Sequence, residues 1–129
     1  LAGAEAYAKF AEQVRETKRR LLEFLIRAKR EGKSIVGYGA PAKGNTLLNY
    51  CGVRTDFLDY TVDRSPHKQG RFLPGTRIPI HGPERIFATR PDYVLVLPWN
   101  LRDEIAGQMA AVRDWGGKFV VAVPEVEVF

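Results

Sequence analysis

The first part of the chain has the hydrophobic spacing of an amphipathic helix. Over residues 4–31, apolar side chains recur at helical spacing and charged side chains fill most of the other positions. The apolar positions are Tyr7, Phe10, Ala11, Val14, Leu21, Leu22, Leu25 and Ile26. Gly32 follows, and glycine is a common helix terminator. We therefore predict that residues 1–33 form a long helix that packs on, or links to, a domain formed by residues 34–129.

After this helix the pattern changes to short apolar runs separated by turns and helix-compatible segments. The predicted strands are residues 34–38, 57–62, 78–80, 92–97 and 118–123. The predicted helices are residues 42–50, 82–87 and 100–115. Asn100 is the predicted N-cap of the last helix, with Asp103 at the reciprocal capping position. Because strands that alternate with helices pair in parallel through right-handed crossovers, we predict an α/β fold with a Rossmann-like, doubly wound, mainly parallel sheet of about five strands.

Composition narrows the class of protein. Of the 129 residues, 45% are hydrophobic and 27% are charged, which is typical of one globular domain and not of a disordered chain. No apolar run reaches the ~18 residues that cross a bilayer, and no signal-peptide pattern opens the chain. The single cysteine, Cys51, excludes an internal disulfide and a cysteine-rich zinc site. We therefore expect a cytoplasmic protein without a membrane partner.

The basic character of the chain does not indicate nucleic-acid binding. Of the net charge of +5, residues 1–33 hold +4, from nine basic and five acidic residues, and the remainder is close to balanced. The excess lies on the predicted long helix, where cations near the C-terminal end suit the helix dipole. No aromatic RNA-binding motif accompanies it. A nucleic-acid partner is therefore not expected.

The segment that joins the first predicted strand to the next helix has the composition of a phosphate-binding turn. Gly37, Gly39 and Ala42 match the dinucleotide pattern G-x-G-x-x-G/A. Glycines allow the backbone to approach an anion, and the start of a helix offers unpaired amide hydrogens. Pro41 suits the first helical position, and Asp63, after the second predicted strand, stands where an acid would bind a ribose. A tight turn without a ligand also fits this pattern and stays open.

Two other kinds of nucleotide site fit the turn poorly. A P-loop requires a lysine before its final Ser or Thr, but Asn45 precedes Thr46 here. A methyl-donor site usually carries an acid two residues before its glycine turn, and Ile35 occupies that position. ATP hydrolysis and S-adenosylmethionine binding are therefore not expected of this turn.

Residues near the turn offer groups that bind phosphates and hydroxyls. Lys43 and Asn45 lie at the start of the second predicted helix, where a cation and an amide suit a diphosphate or a sugar. The loop 64–77 is longer than a folding connection requires and reaches the same edge of the sheet. It adds Ser65, His67, Lys68, Arg71 and Thr76. No Ser/His/Asp, paired-carboxylate or metal-ligand arrangement is visible, so no catalytic or metal-binding residue is predicted.

Three segments carry a resemblance to a known family. They are GYGAPAKGNTLLNYCG (37–52), VDRSPHKQGRFLPGTRIPI (62–80) and DYVLVLPWN (92–100). With the leading basic helix they cover nearly the whole chain, and the Lys-Gly-Asn-Thr sequence after the turn is far more specific than a lone G-x-G. The chain resembles the C-terminal domain of bacterial sugar C-methyltransferases, S-adenosylmethionine-dependent enzymes that methylate a carbon of a nucleotide-linked deoxysugar.

The resemblance implies substrate binding without catalysis by this part. In the family, a zinc-binding part and a central domain with the S-adenosylmethionine site and the catalytic residues come first, so this chain is expected to bind no cofactor itself. The expected partners are that methyltransferase domain and a nucleotide-linked sugar of the thymidine diphosphate type. The positions that match the family are Gly37, Tyr38, Gly39, Ala40, Lys43, Asn45, Thr46, Ser65 and Lys68. Together with Asp63 they form the predicted substrate-binding set.

Two alternatives stay open beside this interpretation. In the first, Asp63 binds the ribose of NAD, and the chain is part of an oxidoreductase. In the second, the helix 4–31 packs its apolar stripe on a partner domain or on a second copy, and the chain is an interaction module.

Overall fold

The computed structural model describes residues 2–129, and Leu1, the first residue of the predicted segment 1–33, lies outside the described residues. The α-helices are α1 Ala2–Arg30, α2 Ala42–Cys51, α3 Glu84–Thr89 and α4 Arg102–Gln108. The strands are β1 Ile35–Tyr38, β2 Thr61–Val62, β3 Ile80–His81, β4 Tyr93–Val96, β5 Lys118–Val121 and β6 Glu127–Val128. Two 3₁₀ segments, Trp99–Leu101 and Ala110–Trp115, flank α4. The predicted long N-terminal helix is therefore confirmed.

The strands form one sheet in the order β3-β2-β1-β4-β5-β6. The pairings from β3 through β5 are parallel, and β6 runs antiparallel to β5. The strand order reverses between β1 and β4, and in such sheets a crevice opens beyond the carboxyl ends of the two strands at this point. The predicted α/β class with a mainly parallel sheet is confirmed, with six strands instead of about five.

Both faces of the sheet are covered, as is usual for parallel strands. Ile35 and Leu95 belong to a core cluster that also contains buried residues of α1 and α2. Val36 and Val94 belong to a second cluster with buried residues of α3, α4 and the 3₁₀ segment after it. Because successive side chains of a strand point to opposite faces, the short apolar runs of β1 and β4 serve both clusters. The helices therefore lie on both sides of the sheet.

β1, β4 and β5 are one or two residues shorter than predicted, and the other three strands differ more. β2 is shorter than the predicted 57–62, because Phe57 and Leu58 donate their amides to the carbonyl of Arg54 and form a turn. β3 overlaps the predicted 78–80 only at its first residue. β6 is absent from the prediction. Both of its residues are exposed, so no buried position marks this strand in the sequence.

The last predicted helix is wrong at its start and its end. Asn100 does not cap α4, because it lies within a 3₁₀ segment and its Oδ1 accepts a hydrogen bond from Lys43 Nζ at 2.7 Å. The helix begins at Arg102 instead, with Asp103 in its first turn, where an acid suits the helix dipole. The second half of the predicted helix, up to Trp115, is 3₁₀. Two 3₁₀ segments around a short α-helix therefore replace one continuous helix.

α1 packs on the core of the chain mainly through its second half. Leu21, Phe24 and Leu25 are buried in the same cluster as residues of α2. Tyr7 and Phe10 of the first half are 75% and 59% exposed. Although α1 is long, neither it nor another helix of residues 2–129 is apolar enough over a sufficient length to cross a membrane. The division of the chain after α1 stays a prediction.

Candidate functional site

The candidate site lies at the carboxyl ends of β1 and β4, where residues 39–41 connect β1 to α2; we call this connection the β1–α2 turn. Gly39 has a φ of +97°, a backbone conformation that favours glycine. A Cβ at Gly39 would lie 2.7 Å from Pro98 Cδ, and a Cβ at Gly37 would lie 2.8 Å from Thr61 Oγ1. The Thr61 hydroxyl also donates to the carbonyl of Gly39 at 2.7 Å. Neighbouring groups of the protein therefore leave no room for a side chain at Gly37 or Gly39.

Hydrogen bonds to other parts of the chain close the turn. Asp63 Oδ2 accepts the amide hydrogen of Ala40 at 2.9 Å, and its Oδ1 accepts that of Ser65 at 2.8 Å. The amide of Gly39 donates to the carbonyl of Val62 at 2.5 Å. A carboxylate of the protein thus occupies a position at the turn in which an anionic ligand could accept the same amide hydrogen.

A cleft beside the turn consists of two chambers. The first chamber, of about 310 Å³, is bounded on one side by Tyr38, Gly39, Ala40, Pro41 and Asp63. Its remaining lining consists of Arg64, Lys68, Pro98, Leu101, Glu104, Ile105 and Gln108. The second chamber, of about 390 Å³, is lined by Tyr38, Arg64, Pro83, Gln108 and Met109. Because the chambers share Tyr38, Arg64 and Gln108, they adjoin, and each lies within the size range of ligand sites.

Half of the predicted substrate-binding set lies at this cleft. Tyr38, Gly39, Ala40, Asp63 and Lys68 line the first chamber. Lys68 reaches it from the loop after β2, and its Nζ donates to the carbonyl of Ala40 at 3.1 Å. Parallel pairing of β1 with β2 explains this arrangement, because it brings the segments that follow both strands to one edge of the sheet.

The other half of the predicted set does not line the cleft. Gly37 is buried within β1, and the amide of Ser65 is bound to Asp63. Asn45 and Thr46 lie on α2, where their side chains bond to groups of the same helix. Their predicted role in ligand binding stays a prediction.

Lys43, the remaining member of the predicted set, connects α2 to the segment after β4. Its Nζ donates to Asn100 Oδ1 at 2.7 Å and lies 4.7 Å from the centre of the Trp99 ring, within reach of a cation–π interaction. The lysine is exposed at the rim and does not line either chamber. Its predicted contact with a diphosphate also stays a prediction.

The cleft contains charges that the sequence did not point to. Arg64 lines both chambers, and its Nη1 lies 3.4 Å from Gln108 Oε1. Glu104 lines the first chamber together with Lys68. Within residues 2–129, the side chains of Arg64, Lys68 and Glu104 form no ion pair. Their charges are therefore available to a ligand.

One face of α4 forms a wall of the cleft, and the sequence prediction missed it. Glu104, Ile105 and Gln108 of α4 and Leu101, the last residue of the preceding 3₁₀ segment, recur at helical spacing and all line the first chamber. The signal in the sequence was this spacing, with a carboxylate and an amide on the same face as apolar residues. This spacing identifies a cleft wall only in the folded chain, where the crossover after β4 places α4 next to the β1–α2 turn.

Tyr38 lies at the junction of the two chambers. Burial raises the pKa of its phenol, the charge of Arg64 opposes this shift, and the charge of Asp63 adds to it. The phenol therefore keeps its proton at neutral pH and can donate a hydrogen bond to a ligand.

The two histidines lie away from the cleft. His67 is exposed in the loop after β2. The His81 ring packs edge-on against Tyr60 at 5.5 Å, and burial, together with the charge of Arg85, lowers the pKa of His81. Across residues 2–129, no group of three or more His, Cys, Asp or Glu side chains is arranged to hold a metal ion.

Comparison with known proteins gives the family. The family model described as the C-methyltransferase C-terminal domain matches residues 1–124. C-methyltransferase NovU from Streptomyces niveus is 37% identical over 128 residues, which is 99% of this chain. The chain spans 30% of the length of that relative. On these matches, the chain belongs to the C-methyltransferase C-terminal domain family.

Proposed function

We propose that this chain is the substrate-binding part of an S-adenosylmethionine-dependent C-methyltransferase of deoxysugar biosynthesis. In this proposal the cleft binds a nucleotide-linked sugar of the thymidine diphosphate type. Family membership supports the reaction, and because the chain spans 30% of the length of its relative, methyl transfer is proposed for a longer protein. The observation that carries the binding role is the two-chamber cleft at the carboxyl ends of parallel strands. The strand order 3-2-1-4-5-6 supports the Rossmann-like interpretation of the sheet.

The lining of the cleft suits such a ligand. Arg64 and Lys68 supply positive charge for a diphosphate. Glu104 and Gln108 supply groups that bind hydroxyls, and Leu101 contributes apolar surface for a ring. A ligand held at several points would present its sugar in one orientation to a methyl donor bound elsewhere.

We propose that the methyl donor, and any zinc, bind outside this chain. Ile35 stands where a methyl-donor site usually carries an acid, and it is fully buried in the core. It therefore offers no polar atom to the ribose of S-adenosylmethionine. We propose no catalytic residue in this chain and expect it to be inactive in methyl transfer on its own. We also propose a cytoplasmic location, which agrees with the free, buried thiol of Cys51.

Calorimetric titration of the chain with a thymidine-diphosphate sugar and, separately, with NAD tests the binding role. We expect saturable binding of the nucleotide-sugar and no binding of NAD. Binding of NAD alone would favour the oxidoreductase alternative. Binding of neither compound would contradict a nucleotide site in this chain.

The predicted rim lysine has its own test. In the complete enzyme, Lys43→Ala should weaken nucleotide-sugar binding if its ammonium group reaches the diphosphate. Unchanged affinity and turnover would remove Lys43 from the site. The hydrogen bond to Asn100 joins two exposed side chains, so its loss should change stability by less than about 0.5 kcal/mol.

One observation counts against the oxidoreductase alternative. An acid that binds a ribose accepts a hydrogen bond from a ribose hydroxyl. Each oxygen of Asp63 already accepts an amide hydrogen, from Ala40 or from Ser65. NAD binding would require Asp63 to add the ribose to these bonds or to give them up.

A second role, as an interaction surface, is favoured by the first half of α1. Tyr7, Phe10 and Val14 lie on one face of the helix at helical spacing, and the first two are largely exposed. We propose that the methyltransferase domain of the longer protein covers this face. Arg15, the one arginine of this half, is paired with Glu12 of the same helix at 3.0 Å, so we do not propose nucleic acid as the partner.

Limited proteolysis tests this surface. In the longer protein we expect the first half of α1 to be protected from trypsin, and in the isolated chain we expect cleavage there. The double variant Tyr7→Ser, Phe10→Ser should restore cleavage in the longer protein, whereas Phe72→Ser, at an exposed apolar residue outside α1, should not. A dimer of the isolated chain in analytical ultracentrifugation would point to a second copy as the partner instead.

A further inference from the structure

The β1–α2 turn has no free amide with which to hold a diphosphate. The amide of Gly39 is bonded to the carbonyl of Val62, and the amide of Ala40 is bonded to the carboxylate of Asp63. Pro41, the third residue of the turn, has no amide hydrogen. A negatively charged ligand placed against this turn would also meet the charge of Asp63. The turn residues therefore leave the diphosphate of a bound ligand to other donors, either the first amides of α2, which begins at Ala42, or a side chain of the cleft.

Arg64 is the side chain best placed to be such a donor. It follows Asp63 directly, so the bonds that hold the aspartate to Ala40 and Ser65 also fix the backbone from which Arg64 extends. Its side chain lines both chambers. No carboxylate of residues 2–129 lies within 4.0 Å of its guanidinium group, and its hydrogen bond to Gln108 is long, at 3.4 Å. An unpaired guanidinium with five donors is well suited to a diphosphate.

We propose that Arg64 binds the diphosphate of a nucleotide-linked ligand that extends through both chambers, with one ring system in each. This inference rests on the proposed function and assigns the anion-binding role to Arg64 instead of the turn amides. Lys68 lies in the first chamber and adds a second positive charge beside the linker. Gln108 accepts a long hydrogen bond from the guanidinium group, at 3.4 Å, which leaves the group free for a ligand.

The apolar lining of the two chambers fits this arrangement. In the first chamber, Pro98, Leu101 and Ile105 provide a surface for one ring system. In the second chamber, Pro83 and Met109 provide a surface for another. A molecule with two rings joined by a charged linker matches two compartments that each offer some apolar surface, with Arg64 at both. A nucleoside diphosphate sugar has this construction.

Calorimetric titration with thymidine 5′-diphosphate tests the proposal in the wild-type chain and in two variants. Arg64→Gln removes the charge and keeps a polar side chain of related shape. Arg71→Gln removes the same charge from an exposed residue of the same loop that lines neither chamber. We expect Arg64→Gln to weaken binding about tenfold or more and to reduce its salt dependence, because charge-assisted hydrogen bonds are lost. Arg71→Gln should bind within about twofold of the wild type.

The outcomes distinguish this inference from the proposed function. If the wild type binds thymidine diphosphate and Arg64→Gln binds it equally well, Arg64 is not the partner of the diphosphate and the proposed function stands. An equal loss in Arg64→Gln and Arg71→Gln would indicate general attraction of charge and would also overturn the role of Arg64. If the wild type does not bind thymidine diphosphate, the proposed function and this inference fail together. Circular dichroism and thermal unfolding of each variant establish that it is folded, and Arg64→Lys should retain part of the affinity.

Discussion

The β1–α2 turn and the α4 wall of the cleft differ in how their polar groups are satisfied. In the turn, the amides of Gly39 and Ala40 and the carbonyl of Gly39 are all bonded to other groups of the protein. On the α4 wall, Glu104 forms no ion pair with another residue of the described chain. Arg64, which lines the same chamber, likewise forms no ion pair within residues 2–129.

This difference separates residues that maintain the fold from residues that are free to bind a ligand. Leaving a buried polar group without its partner costs about 1–3 kcal/mol, whereas exposed substitutions usually change stability by less than about 0.5 kcal/mol. Changes in the turn should therefore lower the free energy of unfolding. Changes on the cleft wall should alter ligand affinity and leave stability nearly unchanged.

The largest loss of stability is expected for Gly39→Ala. The substitution combines a Cβ at positive φ with a 2.7 Å contact to Pro98, so we expect the free energy of unfolding to fall by about 3 kcal/mol. Chemical denaturation measures this change. Gly70→Ala is the matched control, because Gly70 has φ +82° with nothing within 4 Å of the added Cβ. Equal losses in both variants would show that the contact with Pro98 contributes nothing.

A smaller loss in the free energy of unfolding is expected for Asp63→Ala. The variant leaves the amides of Ala40 and Ser65 without their acceptor in a half-buried position, and we expect a loss of about 2 kcal/mol. Asp59→Ala removes an exposed aspartate near β2 and should have little effect. If Asp63→Ala is as stable as the wild type, the carboxylate does not close the turn.

Thr61→Val tests one bond of the turn. Valine preserves the shape of threonine but cannot donate to the Gly39 carbonyl, so we expect a loss of about 1 kcal/mol in thermal or chemical unfolding. Thr46→Val, at an exposed hydroxyl on α2, should change stability by less than about 0.5 kcal/mol. An equal response of the two variants would contradict the importance of the buried bond.

The smallest effect on stability, below about 0.5 kcal/mol, is expected for Glu104→Gln on the cleft wall. If the Glu104 carboxylate accepts hydroxyl hydrogens of the ligand, affinity for a thymidine-diphosphate sugar should fall about tenfold in calorimetry. Asp103→Asn is the matched control, since Asp103 is almost fully exposed and outside the cleft. A stability loss in Glu104→Gln comparable to that of Asp63→Ala would remove the difference between the two regions.

The elements that the sequence predicted well have strong local periodicity. α1 carries a stripe of apolar residues, and β1 and β4 are short, almost fully buried apolar runs. Periodicity reports which face of an element is buried, so it can be read from neighbouring residues. β6 lacks a buried residue, and Asn100, the predicted cap of α4, accepts a hydrogen bond from the distant Lys43 instead. Neither feature has a signal within its own segment.

The candidate site was predicted in part for the same reason. The sequence places the glycines of the turn near Asp63, because parallel strands bring their carboxyl ends to one edge. The sequence pattern could not tell that Asp63 would accept the amide of Ala40. It also did not reveal that Arg64 would line both chambers.

The sequence alone predicts the long helix and the alternation of strands with helices. It also carries the resemblance that led to the family. Only the folded chain determined the partners of the polar groups: the carboxylate of Asp63 bonds to the turn, and the side chain of Asn100 bonds to Lys43. The fold also placed one face of α4 against the cleft. The physical reason is that burial patterns repeat over a few neighbouring residues. A hydrogen bond or a cleft, in contrast, depends on which distant segments the sheet brings together.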